Sequence, residues 1–374
     1  MKIAIAREVL IAGFDRILKV VPTSKTVPIL NYAKLDAVGE SLLISATDRI
    51  TSVRVHVDKA LKVAEEGSVL VPVHDLVSGL RSSTASLVAI TGESGHVTAL
   101  AKGQAKWAWQ TPMLDQYPSL YDPDGTTTYL LDRTSLLASL RAVKSAASRG
   151  TFNPRLEQIG IRKGKVQAAD GIRYHEVDLP NTDMIDLALP VRFVDEILPM
   201  LSADTQTTVE LGSPDGGSTI SIRSGNVLMS TRRSQEDFPD VSHSFLIPAM
   251  SNNIELKVTR TDLLGAVRRV RVSADQTTKA VRMTLQGFDS LDVSTKQKSG
   301  SWAQETIPAK WSGGGRDLVF NHEHLTSLLS LFEDESLILK LGPDAKFKPS
   351  ALLVQAEDKS RSGVLQQFRV DWRQ

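Results

Sequence analysis

The chain contains no cysteine, which excludes disulfides, thiolate metal sites and redox chemistry through protein thiols. It has no excess of either charge: 44 Lys and Arg against 43 Asp and Glu leave a formal net charge of +1. No global basic field advertises a nucleic-acid partner, so any such role must rest on local segregation of charge. Long hydrophobic runs are missing as well. The opening MKIAIAREVLIAGFDR is broken by Arg7, Glu8 and Asp15 and lacks the apolar centre of a signal peptide. No run approaches the roughly 20 apolar residues of a membrane span. A cytoplasmic protein with no membrane partner is expected.

Recognisable catalytic and metal motifs are also lacking. His322, Glu323 and His324 do not have the i, i+4 histidine spacing of a zinc-protease helix and have no evident distant ligand. Gly313 to Gly315 is followed by neither Lys-Ser nor Lys-Thr and has no strand-to-helix frame, so it reads as a turn and not a phosphate cradle. Asp48, Asp170 and Asp240 recur where Asx-type hydrogen bonding explains them, and none has an acid/base partner. The expectation is no metal, no cofactor and no enzymatic activity.

What the chain does have is a repeat. REVLIAGFDRIL from Arg7, RTSLLASLRAVK from Arg133 and RTDLLGAVRRVR from Arg260 stand 126 and 127 residues apart, and three such units fill the 374 residues. The boundaries expected from this period are 1–124, 125–249 and 250–374. Each unit reads as strand, helix, strands, helix, strands. In the first, Leu10, Phe14, Ile17 and Val21 fall at helical spacing before Pro22, Tyr32 to Val57 alternates, and Val73, Leu76, Val77 and Leu80 line a short helix after Pro72. The second has a helix from Asp132, strands in QIGIRKGKVQAADGIRYHEVDL and a Pro-led helix from Pro190 to Leu198. The third has the Arg260 helix, a short helix from His322 to Phe332 and closing strands. Pro123 to Gly125 and Pro248 to Asn253 read as linkers. The fold class is α+β, with paired helices on antiparallel sheets.

A helix that covers a sheet exposes its other side. On the second-unit helix Leu136, Leu140, Val143 and Ala147 share one sector, while Leu137, Arg141, Lys144 and Ser148 share another about 100° round. In the third unit Leu263, Val267, Val270 and Ala274 are apolar, and Arg268 and Arg271 match Arg141 and Lys144. The first copy departs, with Asp15 and Leu18 in those slots and Arg16, Lys19 and Lys25 nearby. A recurring basic face in a neutral protein suits phosphates tracked without reading bases. The alternative for any single helix is an ordinary solvated face. Arg133 itself reads as a helix-start residue.

KTVPIL (Lys25 to Leu30), ATDRI (Ala46 to Ile50), AADGIRY (Ala168 to Tyr174), EDFPDV (Glu236 to Val241) and KAVRM (Lys279 to Met283), taken in order and at their spacing, resemble the bacterial-type DNA polymerase III beta subunit, the sliding clamp family. The resemblance spans essentially the whole chain. It implies three clamp domains per chain and a head-to-tail homodimer forming a six-domain ring, with helices lining a hole for double-stranded DNA of any sequence. By similarity Lys25, His74, Arg192 and Lys279 join Arg141, Lys144, Arg268 and Arg271 as DNA contacts. The family also has a hydrophobic cleft for short peptides of polymerases, the clamp loader and other clamp-binding proteins. Carried across, its lining is Leu156, Ala169, Gly171, Ile172, Arg173, Tyr174, Pro239 and the tail residues Val370, Trp372 and Arg373. The tail departs from the family's usual MPMRL-like ending: it reads Val370, Asp371, Trp372, Arg373, Gln374. The resemblance places Trp107 on a dimer-forming edge strand, against the alternative of packing within its own domain. The implied setting is the nucleoid of a bacterial or phage-infected cell. Two other classes stay open: a repeat-built scaffold that does not encircle DNA, and a polymer hydrolase with dispersed acids.

Overall fold

The computed structural model describes residues 1–123, 126–150, 153–214, 218–287, 289–312, 316–342 and 351–368. Gly313 to Gly315, Val370, Trp372 and Arg373 lie outside the described residues.

The first repeat runs β1 (Lys2–Ala6), α1 (Arg7–Ile17), β2 (Tyr32–Val38), β3 (Ser41–Thr47), β4 (Thr51–Val57), β5 (Leu61–Glu65), β6 (Gly67–Pro72), α2 (Val73–Ser82), β7 (Leu87–Glu93), β8 (His96–Ala101) and β9 (Ala105–Gln110). In the second come β10 (Thr126–Asp132), α3 (Arg133–Lys144), β11 (Gln158–Arg162), β12 (Lys165–Ala169), β13 (Arg173–Asp178), β14 (Asp186–Pro190), α4 (Val191–Ala203), β15 (Thr208–Pro214), β16 (Thr219–Ser224) and β17 (Val227–Arg232). A π-helical turn at Ser242–Leu246 and a short α5 (Ile247–Ala249) lead to the third. That repeat has β18 (Ile254–Thr259), α6 (Arg260–Val270), β19 (Ala280–Gln286), β20 (Ser290–Lys296), β21 (Trp302–Trp311), β22 (Asp317–Asn321), α7 (His322–Leu329), β23 (Ser336–Leu341), β24 (Ala351–Gln355) and β25 (Arg361–Gln366). The α+β repeat of paired helices on antiparallel sheets is therefore present three times.

Two compact units divide the chain. One holds Met1–Leu137 and Arg192–Arg233, with a five-stranded sheet β5-β1-β7-β8-β9 and an eight-stranded sheet β10-β15-β16-β17-β4-β3-β2-β6. The other holds Ala138–Val191 and Ser234–Gln374, built on a twelve-stranded run β14-β11-β12-β13-β25-β24-β23-β18-β21-β20-β19-β22.

The helix faces follow the apolar spacing. Leu10, Phe14 and Ile17 of α1, Leu136, Leu140 and Val143 of α3, and Leu263 and Val267 of α6 are fully buried. Gly13 lets α1 approach its sheet, because a Cβ there would stand 2.7 Å from Ile44 Cδ1. Helix ends differ from the expected ones. α1 stops at Ile17, and Val20 and Val21 are buried in the turn before Pro22. α7 stops at Leu329, with Leu331 and Phe332 buried beyond it. α4 runs through Pro199 to Ala203 instead of ending at Leu198. An interior proline costs on the order of 3 kcal/mol, and burial of Leu198, Met200 and Leu201 offsets it. Among the described residues no helix is long and apolar enough to cross a membrane.

Candidate nucleic-acid interface and peptide cleft

The arginine that marks each repeat is a staple. Arg7 Nε donates to Ala85 O at 2.9 Å and Nη1 to Leu80 O at 3.3 Å. Arg133 reaches Gln206 O and Leu201 O at 2.6 and 2.7 Å, and Arg260 reaches Asp334 O at 3.1 Å. Each ties the start of a repeat's first helix to carbonyls at or just after the end of its second, where cations are favoured.

The basic slots lie one sector round from the buried stripe. Arg141 and Arg268 are exposed, Lys144 is half-buried, and Arg271 is exposed in the single turn of 3₁₀ helix after α6. Arg268 makes no ion pair with any described residue, whereas its neighbour Arg269 is held by Glu305 at 2.5 and 2.7 Å. The sector is less polar than expected: Leu137 and Ser148, grouped there with Arg141, are buried. In the first repeat Asp15, which occupies the matching slot, is bridged at 2.6 Å by Arg81 of α2. Spacing on one helix could not disclose that pair.

Of the remaining candidate cations, two are engaged in ion pairs. Lys25 is exposed, and His74 is exposed with its Nε2 3.4 Å from Thr23 Oγ1. Arg192 is ion-paired with Asp48 and, at 3.3 Å, with Glu196. Lys279 holds Glu323 at 2.7 Å, and this ammonium keeps the Glu323 carboxyl below its usual range. Part of the charge on Arg192 and Lys279 is thus already neutralised within the chain. Of the HEH triplet, His322 is buried and Glu323 is taken by Lys279. Among the described residues no group of three or more potential ligands could hold a metal.

Trp107 stands on β9, the edge of the five-stranded sheet, but its side chain points inward. A Cβ at Gly79 of α2 would lie 2.9 Å from Trp107 Cζ2. The pairing ladders make Met229 and Gly363 the counterparts of Trp107. At Gly363 the sizes are exchanged, since a Cβ there would lie 2.2 Å from Leu328 of α7. A large residue against glycine fills both places.

The described residues of the candidate cleft gather in the second unit. ATDRI and AADGI fold as the same Asx turn. Asp48 Oδ1 accepts from Ile50 N and Thr51 N at 2.9 and 2.7 Å, and Asp170 Oδ1 accepts from Ile172 N and Arg173 N at 2.9 and 2.7 Å. Gly171 takes φ +93° there, and Arg49 takes 72° in the copy. Arg173 also pairs with Asp170 at 2.7 Å. Beside this turn Leu156, Ala169 and Tyr174 do not form an open wall: they are buried in one cluster with Phe238, Val241, Leu246, Leu353 and Val364. Pro239 stands in the segment that covers them, accepting from Val241 N at 2.9 Å. The linker reading of Pro248 to Asn253 missed that residues 242–249 are helical.

Beneath the cluster is a polar floor. Tyr174 Oη donates to Glu176, which is buried and also accepts from Gln167 Nε2 at 2.8 Å and Lys165 Nζ at 2.6 Å. Burial and the neighbouring Glu176 carboxylate push the Tyr174 hydroxyl up, so it stays a donor. On the opposite face of β13, His175 is fully buried, and neither ring nitrogen makes a well-formed hydrogen bond, the backbone of Ala142 being loosely placed for one. Burial lowers its pKa to about 4.

With this geometry in hand, likenesses to known proteins are informative. Residues 1–121 match the family described as DNA polymerase III beta subunit, N-terminal domain. The chain is 24% identical over 360 residues to the beta sliding clamp of Chlamydia muridarum, covering 94% of this chain and 95% of that protein. With the beta sliding clamp of Pseudomonas aeruginosa it shares 21% identity over 99% of this chain and all of that one. Its fold matches a Bartonella birtlesii sliding clamp solved bound to griselimycin, with TM-score 0.89, 20% identity, and coverage of 99% of this chain and 100% of that one. The Bacillus subtilis sliding clamp gives TM-score 0.88 at 18% identity, covering 99% of each chain.

Proposed function

We infer that the chain is a bacterial-type sliding clamp of the DNA polymerase III beta subunit kind, a processivity factor that encircles duplex DNA and catalyses nothing itself. The carrying observation is the threefold repeat whose second and third copies set Arg141 and Arg268 in matched exposed slots, on a chain whose first 121 residues match that family. Its domains are 1–124, 125–249 and 250–374, and it works in the cytoplasm on the nucleoid. Arg141, Lys144, Arg268 and Arg271, with Lys25, His74, Arg192 and Lys279, contact phosphates. The cleft around Leu156, Ala169, Gly171, Ile172, Arg173, Tyr174 and Pro239, completed by Val370, Trp372 and Arg373, takes peptides from the polymerase, the clamp loader and other clamp-binding proteins. After loading, protein is expected to stay on closed circular DNA and to run off linear DNA of the same length. Equal loss from both forms would refute encirclement and leave a non-encircling scaffold.

Closure requires a second copy, and the repeat supplies its register. Within one unit β17 pairs with β4, with Met229 opposite Val53. Within the other β25 pairs with β13, with Gly363 opposite His175. The corresponding strands still open are β9 and the first half of β21, whose Trp302 to Thr306 pair only with β20 among the described residues. Counting through the ladders makes Ala303 the counterpart of Val53 and His175. Trp107 of one copy therefore faces Ala303 of the next, and Ala108 faces Trp302, so both cross-strand pairs are large against small. Trp302 is 68% exposed and Ala108 is exposed, so neither is needed to fold the chain. Ala108→Trp is expected to weaken the dimer at least about ten-fold, and Ala108→Trp with Trp302→Ala to restore it, read by sedimentation equilibrium. A double variant as weak as the single one would mean a different register.

A further inference from the structure

Two carboxylates share one arginine near the start of α4. Arg192 Nη2 meets Asp48 Oδ2, and its Nε donates to Glu196 Oε1 at 3.3 Å. All three residues belong to one compact unit. The Arg192 side chain is 55% exposed, whereas those of Asp48 and Glu196 are only 7% and 11% exposed. The guanidinium is therefore the movable partner, and the acids are fixed behind it.

The two acids are held differently. Asp48 Oδ1 accepts from Ile50 N and Thr51 N at 2.9 and 2.7 Å, so this carboxylate keeps two donors whether or not the arginine is there. Glu196 has no such support. Its Oε2 is buried without a well-formed hydrogen bond, and the fully buried Thr51 hydroxyl that faces the carboxylate is only loosely placed for one. Burial pushes the Glu196 carboxyl above its usual range and Thr51 opposes this; of the two charged groups that act on it, Asp48 pushes it further up and Arg192 holds it down. Without Arg192, an ionised Glu196 is a buried charge beside a second carboxylate, an arrangement that favours one proton on the pair.

The copy of this turn at Asp170 is built otherwise. Arg173 replaces Thr51 and pairs with Asp170 from within the turn at 2.7 Å. Counting from the first residues of α4 and α7 puts Glu323 at the position of Arg192 and Ser327 at that of Glu196. Ser327 Oγ bonds Ser145 Oγ at 2.7 Å. No arginine is shared between two acids there, so the arrangement at Arg192 is not a requirement of the repeated fold.

We propose that Arg192 exchanges partners when duplex DNA binds, leaving Asp48 and Glu196 for a phosphate, and that Glu196 takes up a proton from solvent as it leaves. This rests on the reading of Arg192 as a phosphate contact. The new O–H bond forms on Glu196 and not on Asp48, because only Asp48 retains amide donors, and the added proton is placed for Thr51 Oγ1 to accept. Asp48 and Glu196 are then positioning residues for Arg192. They make DNA affinity depend on pH: the complex binds a proton that the free protein does not, so affinity is greatest at low pH and falls as the pH rises towards the range where Glu196 stays ionised in both states.

The test is isothermal titration of a short duplex into the full chain near neutral pH, in phosphate and in Tris buffer, whose different ionisation enthalpies convert the heats into a proton count. The parent is expected to take up more protons per chain than Glu196→Gln, by a difference approaching one. Glu196→Gln keeps the side-chain shape but cannot titrate, and releases Arg192 more readily, so it should bind the duplex about two- to five-fold more tightly. Arg192→Gln should bind more weakly and also lose the extra uptake, since no exchange takes place. Duplex binding with the same proton count in the parent and Glu196→Gln would overturn the exchange and leave the encircling clamp standing. Absence of duplex binding in the parent would overturn both.

Discussion

A dimer carrying Arg141→Glu and Arg268→Glu is expected to bind a short duplex at least about a hundred-fold more weakly at low salt while keeping its dimer mass. Each phosphate contact contributes about 0.9 to the slope of log affinity against log salt. Two slots in each of two chains make four contacts, so the slope should flatten by roughly three to four. The choice of slots follows from their surroundings. Arg268 makes no ion pair with a described residue, and Arg141 is exposed on the sector next to a fully buried stripe. Arg192 and Lys279 contrast with Arg268. Asp48 and Glu196 hold the first, and Glu323 holds the second, so neutralising either should change affinity less than reversing Arg268. Unchanged binding and slope in the double variant would show that this face does not meet DNA.

The second large effect is on stability. The unit containing His175 is expected to lose about 3 kcal/mol between pH 6.5 and pH 4 through this residue alone. Its folded pKa, about 4, lies below the ordinary 6.5 because burial excludes the charged ring. Between those values the unfolded chain binds a proton that the folded chain refuses, so stability falls as the pH falls and levels off below about 4. Burial also lowers His322 and His324, which act in the same direction. Asp317 and Glu323, held down by Arg282 and Lys279, lose their contribution lower still, as they are protonated through depressed pKa values. Substitution therefore isolates the His175 contribution from those of His322 and His324. His175→Leu should remove much of the slope of urea stability between pH 6.5 and 4. It should cost little at pH 7.5, since neither ring nitrogen makes a well-formed hydrogen bond and the backbone of Ala142 is only loosely placed for one. A variant with the parent's slope would mean that the Ala142 backbone and the Asp170 carboxylate already stabilise the charged ring.

Much of the architecture was legible from local pattern. Leu136, Leu140 and Val143 reach the core because a 3.6-residue period is a property of one helix. The Asx turns of ATDRI and AADGI form because Asp48 and Asp170 bond amides two and three residues on. α4 escaped the reading because Pro199 is a local stop signal that buried Leu198 and Leu201 override. The covering turn at 242–249 escaped it because Phe245 and Leu246 are ordered by the cluster they cover, not by any helical period of their own.

The sequence by itself determined the threefold period, through copies 126 and 127 residues apart, and the strand and helix order, the buried helix stripes and the basic slots beside them, which are carried by neighbours within a few residues. Only the tertiary structure decided which cations are engaged and which aromatic fills each hollow. Arg192 meets Asp48 across 144 residues, and Lys279 meets Glu323 across 44. Trp107 against Gly79 becomes Gly363 against Leu328 in another repeat. Such pairings depend on which surfaces the folded chain brings together, and repeats that share one backbone can solve the same packing problem with the sizes exchanged.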